Sequence, residues 1–174
     1  MKHAEALGAS LQADHLLPKA SAMTNIHSAS RTILATPRAI FRALIDAEAM
    51  PRWRAPKGMH MRVERLEPRP GGRFRLVLSY DDPAAGAGKS DANSDIVEGR
   101  FAELIAEERV VEEVRFQSDD PAYAGTMRVT TALAPVSDGT KVTITAENVP
   151  SGISEADHRQ GMESTLKNLA DFLE

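Results

Sequence analysis

Two residues stand where acid–base chemistry could use them. Strict alternation puts Glu112 on the same strand face as Val110, Val114 and Phe116. A carboxylate on an apolar face must be hydrogen-bonded, paired with a cation, or protonated. It could then serve a bound molecule as an acceptor or a general acid. The alternative is a bulge or register shift that returns it to solvent. His158 lies one helical turn before Met162, on the apolar stripe of a helix. An imidazole there could anchor a ligand or move a proton at a cavity mouth, or it could be a partly exposed helix histidine. A cyclase- or dehydratase-type reaction would use Glu112 and His158 together, within hydrogen-bond or one-water reach across a cavity.

The remaining histidines, His3, His15, His27 and His60, are scattered, and none forms an H-E-x-x-H pair. With no cysteine in the chain, disulfides, thiolate chemistry and Cys-type zinc sites are excluded. No metal site and no cofactor are expected. No nucleophile elbow, Walker loop or dinucleotide fingerprint is present. Gly71-Gly72 precedes a strand rather than a helix, so it is not the phosphate cradle of a Rossmann unit.

Other side chains could shape a binding site. Phe74, Leu76, Leu78 and Tyr80 share one face of a strand, and Met127 and Val129 share another with Thr131 and Leu133. With Val114, Met162 and Leu166 they would line any cavity, though each is also ordinary core. Met127 and Met162 suit an adaptable wall. Tyr80 could turn its hydroxyl to a ligand. Trp53, the single tryptophan, could border the cavity or be core with its N–H bonded. Arg100 is ambiguous, because either Val97, Gly99 and Phe101 or Ile96, Ala102 and Leu104 could face inward on the strand 95–104. An inward Arg100 would suit an anion; an outward one, sharing a face with Glu98, makes a solvated salt bridge. Arg31 shares the parity of Ile33.

These residues need a frame, and periodicity supplies one. Residues 27–34 read as a strand. Thr36-Pro37 starts a helix, with Thr36 as cap and Pro37 at its first position, and Ile40, Phe41, Leu44 and Ile45 form its apolar stripe. Asp46 can cap a second short helix from Ala47 to Trp53, which Pro56 and Gly58 end. Strands follow at 60–67, 73–80, 95–104, 109–117, 125–134 and 140–147, the last with Val142, Ile144 and Ala146 inward. Turns fall at Pro70-Gly71-Gly72 and Ser137-Asp138-Gly139. Residues 81–94 read as a flexible hairpin tip with nothing hydrophobic to pack. Met162, Leu166, Leu169 and Leu173 make the buried stripe of a long final helix introduced by Ser154 and Asp157. This is an α+β chain in which that helix alone is long enough to cover an antiparallel sheet.

Residues 1–25 read as a flexible or loosely docked tail, in which Met23 could be the true start, and residues 26–174 as one domain. The 174 residues, 42% hydrophobic and 26% charged, suffice for a core without staples. A formal charge of −4 without a basic stripe argues against nucleic acid. No apolar run approaches a membrane span, and the N-terminus lacks a secretory pattern. A cytoplasmic monomer or homodimer is the expectation.

Five phrases, in order, carry a family resemblance: ATPRAIFRALIDAEAMPRW at 35–53, PGGRF at 70–74, EGRFAELIAEERVV at 98–111, DGTKVTITAENVP at 138–150 and GMESTLKNLADFLE at 161–174. Over about residues 26–174 the chain resembles the START-like (SRPBCC) superfamily, closest to homologues of the activator of the heat-shock protein 90 ATPase. The resemblance implies a helix-grip fold, a curved antiparallel sheet closed by the C-terminal helix over an apolar cavity. Within the superfamily some members bind lipids, hormones or aromatic polyketides, and a few catalyse cyclisation or dehydration. Met162 stands where such proteins often carry tryptophan, and the 81–94 loop is longer than typical. Both departures bear on the cavity's shape. A small hydrophobic or amphipathic ligand is the expected partner, with binding favoured over catalysis. Third comes a protein-interaction module, by analogy with the chaperone activator, whose additional domain this chain lacks.

Overall fold

The computed structural model describes residues 25–82, 84 and 88–174. The proposed N-terminal tail therefore falls, but for Asn25, outside the described residues. Strand β1 (His27–Ile33) leads to helix α1 (Pro37–Leu44) and the short α2 (Met50–Trp53). Six strands follow: β2 (Met59–Leu66), β3 (Arg73–Tyr80), β4 (Ser94–Ile105), β5 (Arg109–Phe116), β6 (Met127–Val136) and β7 (Gly139–Glu147). The last element is the 19-residue helix α3 (Glu155–Leu173).

The strands form one sheet in the order β1-β7-β6-β5-β4-β3-β2, antiparallel at every pairing. From β2 to β7 it is a meander, and β1 returns to pair with β7. The inner face holds the alternating apolar residues, and α3 crosses it, packing against β1 and α2. Met162, Leu166, Leu169 and Ala170 are its buried residues. The architecture is the helix-grip arrangement that the order of elements implies.

Local chemistry explains the boundaries. Thr36 accepts from the Ala39 amide at 3.1 Å, and Pro37 opens α1. Ser154 likewise accepts from the Asp157 amide at 3.1 Å. Before it, Asn148 takes a left-handed φ of 57° and donates its side-chain amide to Thr126 O at 2.7 Å, ending β7. The second helix is shorter than the sequence suggests. Asp46 accepts from the Glu48 amide, making a turn over 47–49, and the helix proper begins at Met50.

A bulge settles the register of β4. Phe101 pairs with Glu112 but Glu103 pairs with Val111, so Ala102 is the extra residue. Before the bulge Val97, Gly99 and Phe101 face inward; after it Leu104 does, opposite Val110. Both parities are therefore used, each on one side of the bulge. Gly99 is required here, since a Cβ would lie 2.4 Å from Glu113 O and 2.5 Å from Phe74 Cζ. The Phe74 ring occupies that space and packs on Phe101, 5.2 Å between centroids.

The 81–94 segment departs from expectation. Its described second part folds back onto the sheet. Ser90 N donates to Ser94 O at 3.0 Å, and Lys89 reaches Asp95. Charged and aromatic partners give this loop the anchor its own sequence lacks.

Candidate functional site

Between the sheet's inner face and α3 lies a cavity of about 990 Å³. Leu76 and Leu78 of β3, Val97 of β4, Val110 and Val114 of β5, and Met127 and Val129 of β6 make its sheet wall. Met162, Leu166 and Leu169 make its helix wall, and Trp53 stands beside them. Trp53 is also core: it is buried, and its Nε1 donates to Ala43 O at 3.2 Å.

Two residues proposed for the lining are placed elsewhere. Phe74 is buried over Gly99 against Phe101, which takes it out of the cavity surface. Arg100 is on the outer face, where it donates to Glu113 at 3.0 Å, and it is not on the cavity wall. The outward salt bridge is thus the reading that fits, although its partner is cross-strand Glu113 and not Glu98. Glu98 pairs instead with Arg75 and Arg115.

Glu112 does face the cavity, and its charge is met. Arg54, just after α2, donates to both carboxylate oxygens, at 3.0 and 2.7 Å. The pair is withdrawn from water, at 21% exposure for the Arg54 side chain and 7% for Glu112. Burial opposes the Arg54 charge, but the Glu112 carboxylate outweighs it and raises the guanidinium pKa. Helix α3 fixes the segment that carries Arg54. Thr165 donates to Arg54 O at 3.1 Å, Asn168 donates to Ala55 O at 2.9 Å, and the Lys57 amide donates to Ser164 at 2.9 Å. These helix side chains lie beside the apolar stripe, where periodicity alone gives no reason to look.

His158 also borders the cavity, and it has a partner that sequence reasoning missed. His27, buried on β1, places its Nδ1 2.8 Å from Nδ1 of His158. One ring must donate and the other accept, so the pair shares one proton between facing nitrogens. Burial first, then His27 and Lys89, hold the His158 pKa down to about 4. At neutral pH its ring is uncharged. Among the described residues no group of three or more His, Cys, Asp or Glu could hold a metal ion.

A third polar cluster comes from the long loop. Lys89 donates its amide and its ammonium to the two oxygens of Asp95, at 2.6 and 3.0 Å. The ammonium also lies 5.3 Å from the Phe116 ring centroid and 5.9 Å from that of Tyr123. Tyr80 is beside them, and burial followed by the Asp95 charge raises its pKa. Asp95 stands on the same parity as Val97, an inward carboxylate whose signal was the undecided register.

A family model described as activator of Hsp90 ATPase homolog 1-like protein matches residues 34–174. The chain belongs to this family. Strand β1 lies just ahead of the matched region and pairs with β7 in the same sheet. Among solved structures, a protein of Chromobacterium violaceum is 29% identical at a TM-score of 0.76, with 86% of this chain and 96% of that one covered. A protein of Nitrosomonas europaea is 25% identical at 0.67, with 85% and 93% covered. A protein of Aeromonas hydrophila, itself described as like the same activator, shares the fold at 21% identity and a TM-score of 0.65, over 85% and 91% of the two chains. No curated protein matches the chain.

Proposed function

We propose that this member of the activator-homologue-like family binds an apolar or amphipathic small molecule between its sheet and α3. One observation carries the reading: a cavity of about 990 Å³ walled largely by Leu, Val, Met and Trp side chains, with its withdrawn charged groups gathered into pairs. Interiors ordinarily leave few voids larger than a water molecule, whereas ligand sites are apolar cavities with a few placed polar groups. His158 and Tyr80 supply neutral hydrogen-bonding groups on that wall. The absence of cysteine agrees with a reducing compartment, and the reading places the domain in the cytoplasm as a monomer or homodimer.

Catalysis is the weaker reading. Glu112 and His158 border the same cavity, but each is engaged by another side chain, Arg54 or His27. A histidine with a pKa near 4 is a poor general base at neutral pH. A chaperone-docking role would need an exposed apolar face. The large exposed hydrophobic residues among those described are Ile26, Leu34 and Val136, the first two at opposite ends of β1.

Native mass spectrometry of protein purified from its own host tests the binding reading. The expected result is an added mass that organic extraction removes. A clean apo mass, with no thermal shift across a lipid and aromatic library, would overturn it.

A further inference from the structure

We infer that the molecule this cavity accepts is uncharged at neutral pH: a neutral amphiphile offering hydroxyl, phenol or carbonyl groups, and not a carboxylate or an ammonium ion. The inference rests on the binding reading above and narrows it to a chemical class.

The charges on the cavity wall are closed on one another. Among the described residues three cations, Arg54, Lys57 and Lys89, and three anions, Asp95, Glu112 and Asp157, border the cavity. Four of the six are withdrawn from water, and they form two complete pairs. Arg54 holds Glu112 at 2.7 Å, and Lys89 holds Asp95 at 3.0 Å, with Lys89 20% and Asp95 8% exposed. The remaining two, Lys57 and Asp157, are solvent-exposed and of opposite sign, where water and salt screen them.

A ligand carboxylate seeking Lys89 would compete with Asp95 for one ammonium, either crowding two carboxylates together or leaving a buried one without its cation. The same holds at Arg54 with Glu112. Breaking a buried pair by taking one partner away is strongly unfavourable, and an ion entering without a partner bears its full desolvation cost. A cationic ligand meets the mirror-image obstacle at Asp95 and Glu112. The other polar side chains on the wall are neutral, among them the His158 ring, the hydroxyls of Tyr80 and Thr131, and the Gln160 amide. These can exchange hydrogen bonds with hydroxyl or carbonyl groups at no cost in unpaired charge.

Trp53, the single tryptophan, borders the cavity, so its fluorescence reports occupancy. The full-length protein is titrated at pH 7 with 1-decanol, decanoate and decylammonium. Wild type should favour decanol by roughly tenfold or more over either ion. Neutral amphiphiles enter any apolar site more readily, so two variants decide the matter. Asp95→Asn releases Lys89 and should move the decanoate-to-decanol ratio roughly tenfold towards decanoate. Lys89→Met releases Asp95 and should move the decylammonium ratio likewise. Either variant suffices if the other does not fold. The inference is overturned if wild type binds an ion at least as tightly as decanol, or if neither ratio moves in the folded variants. Failure of all three probes to bind, with no co-purifying mass, overturns the binding reading itself.

Discussion

The histidines that meet beside the cavity are 131 residues apart in the chain, and no local pattern links them. His158 is legible as a polar residue on an apolar stripe. His27 sits at the start of a strand with nothing to mark it, and only the return of β1 to pair with β7 brings it under α3. The same holds for Glu112 and Arg54. Alternation exposes Glu112 as an inward carboxylate, but its cation belongs to a loop set by α3 side chains. A sequence thus shows the half of each pair that breaks a pattern, and hides the half that obeys one. Both pairs have measurable consequences. The folded His158 pKa is about 4 against an ordinary 6.5, so between those pH values the unfolded chain holds a proton that the folded one lacks. The stability this group contributes is fully present above about 6.5 and is lost progressively as pH drops towards 4. Urea unfolding at pH 7 and pH 4.5 should show a smaller drop for His158→Gln than for wild type; equal drops would rule the histidine out as the cause. At the second pair, Arg54→Met strands the Glu112 carboxylate and should cost roughly 3–5 kcal/mol. Adding Glu112→Leu should recover most of that loss in the same assay, because no buried charge then remains.

At the scale of elements the sequence was close to sufficient. Alternation, where it is clear, together with the turn signals outlines the seven strands, and the Thr36-Pro37 and Ser154 caps place the starts of the principal helices. The failures have local causes. Period-two reading assumes an unbroken strand, so the bulge at Ala102 made β4 look as though it had two incompatible faces. Composition suggested that 81–94 had nothing to pack, yet Lys89 packs by charge on Asp95 and by its cation over Phe116. Helix α3 carries a glycine in mid-course, at 161, on its cavity side. Glycine weakens a helix interior through its backbone freedom, and a Cβ built at 161 meets nothing within 4 Å. Gly161→Ala should therefore stabilise the protein by roughly 0.5–1 kcal/mol, read as a higher urea midpoint with unchanged slope. A loss of stability would mean that the space at 161 is not free.

Among the described residues the sheet and α3 do not close completely on one another. Family membership and the fold follow from the order of elements, which many ligands and activities share. The cavity's chemistry does not follow from it, because it is decided by a few side chains that the fold brings together from β1, β4, β5, α3 and two loops. An open interior of this size forfeits packing contacts that a filled core would have. The natural sequence nonetheless keeps small and flexible residues there: Gly161 stands on the helix wall and Met162 beside it. If the space exists to be occupied, filling it from within should raise stability and remove binding together. Gly161→Phe places an aromatic ring where a Cβ has free room and replaces the poorer helix former. Without ligand its melting temperature should exceed that of wild type, while the upward shift produced by 1-decanol should shrink or vanish. Gly161→Ala, which adds one methyl group, should keep that shift. A decanol response in Gly161→Phe as large as in wild type would put the bound molecule outside the space between the sheet and α3. A fall in melting temperature with the response intact would show that the gap at 161 serves helix packing and not the ligand.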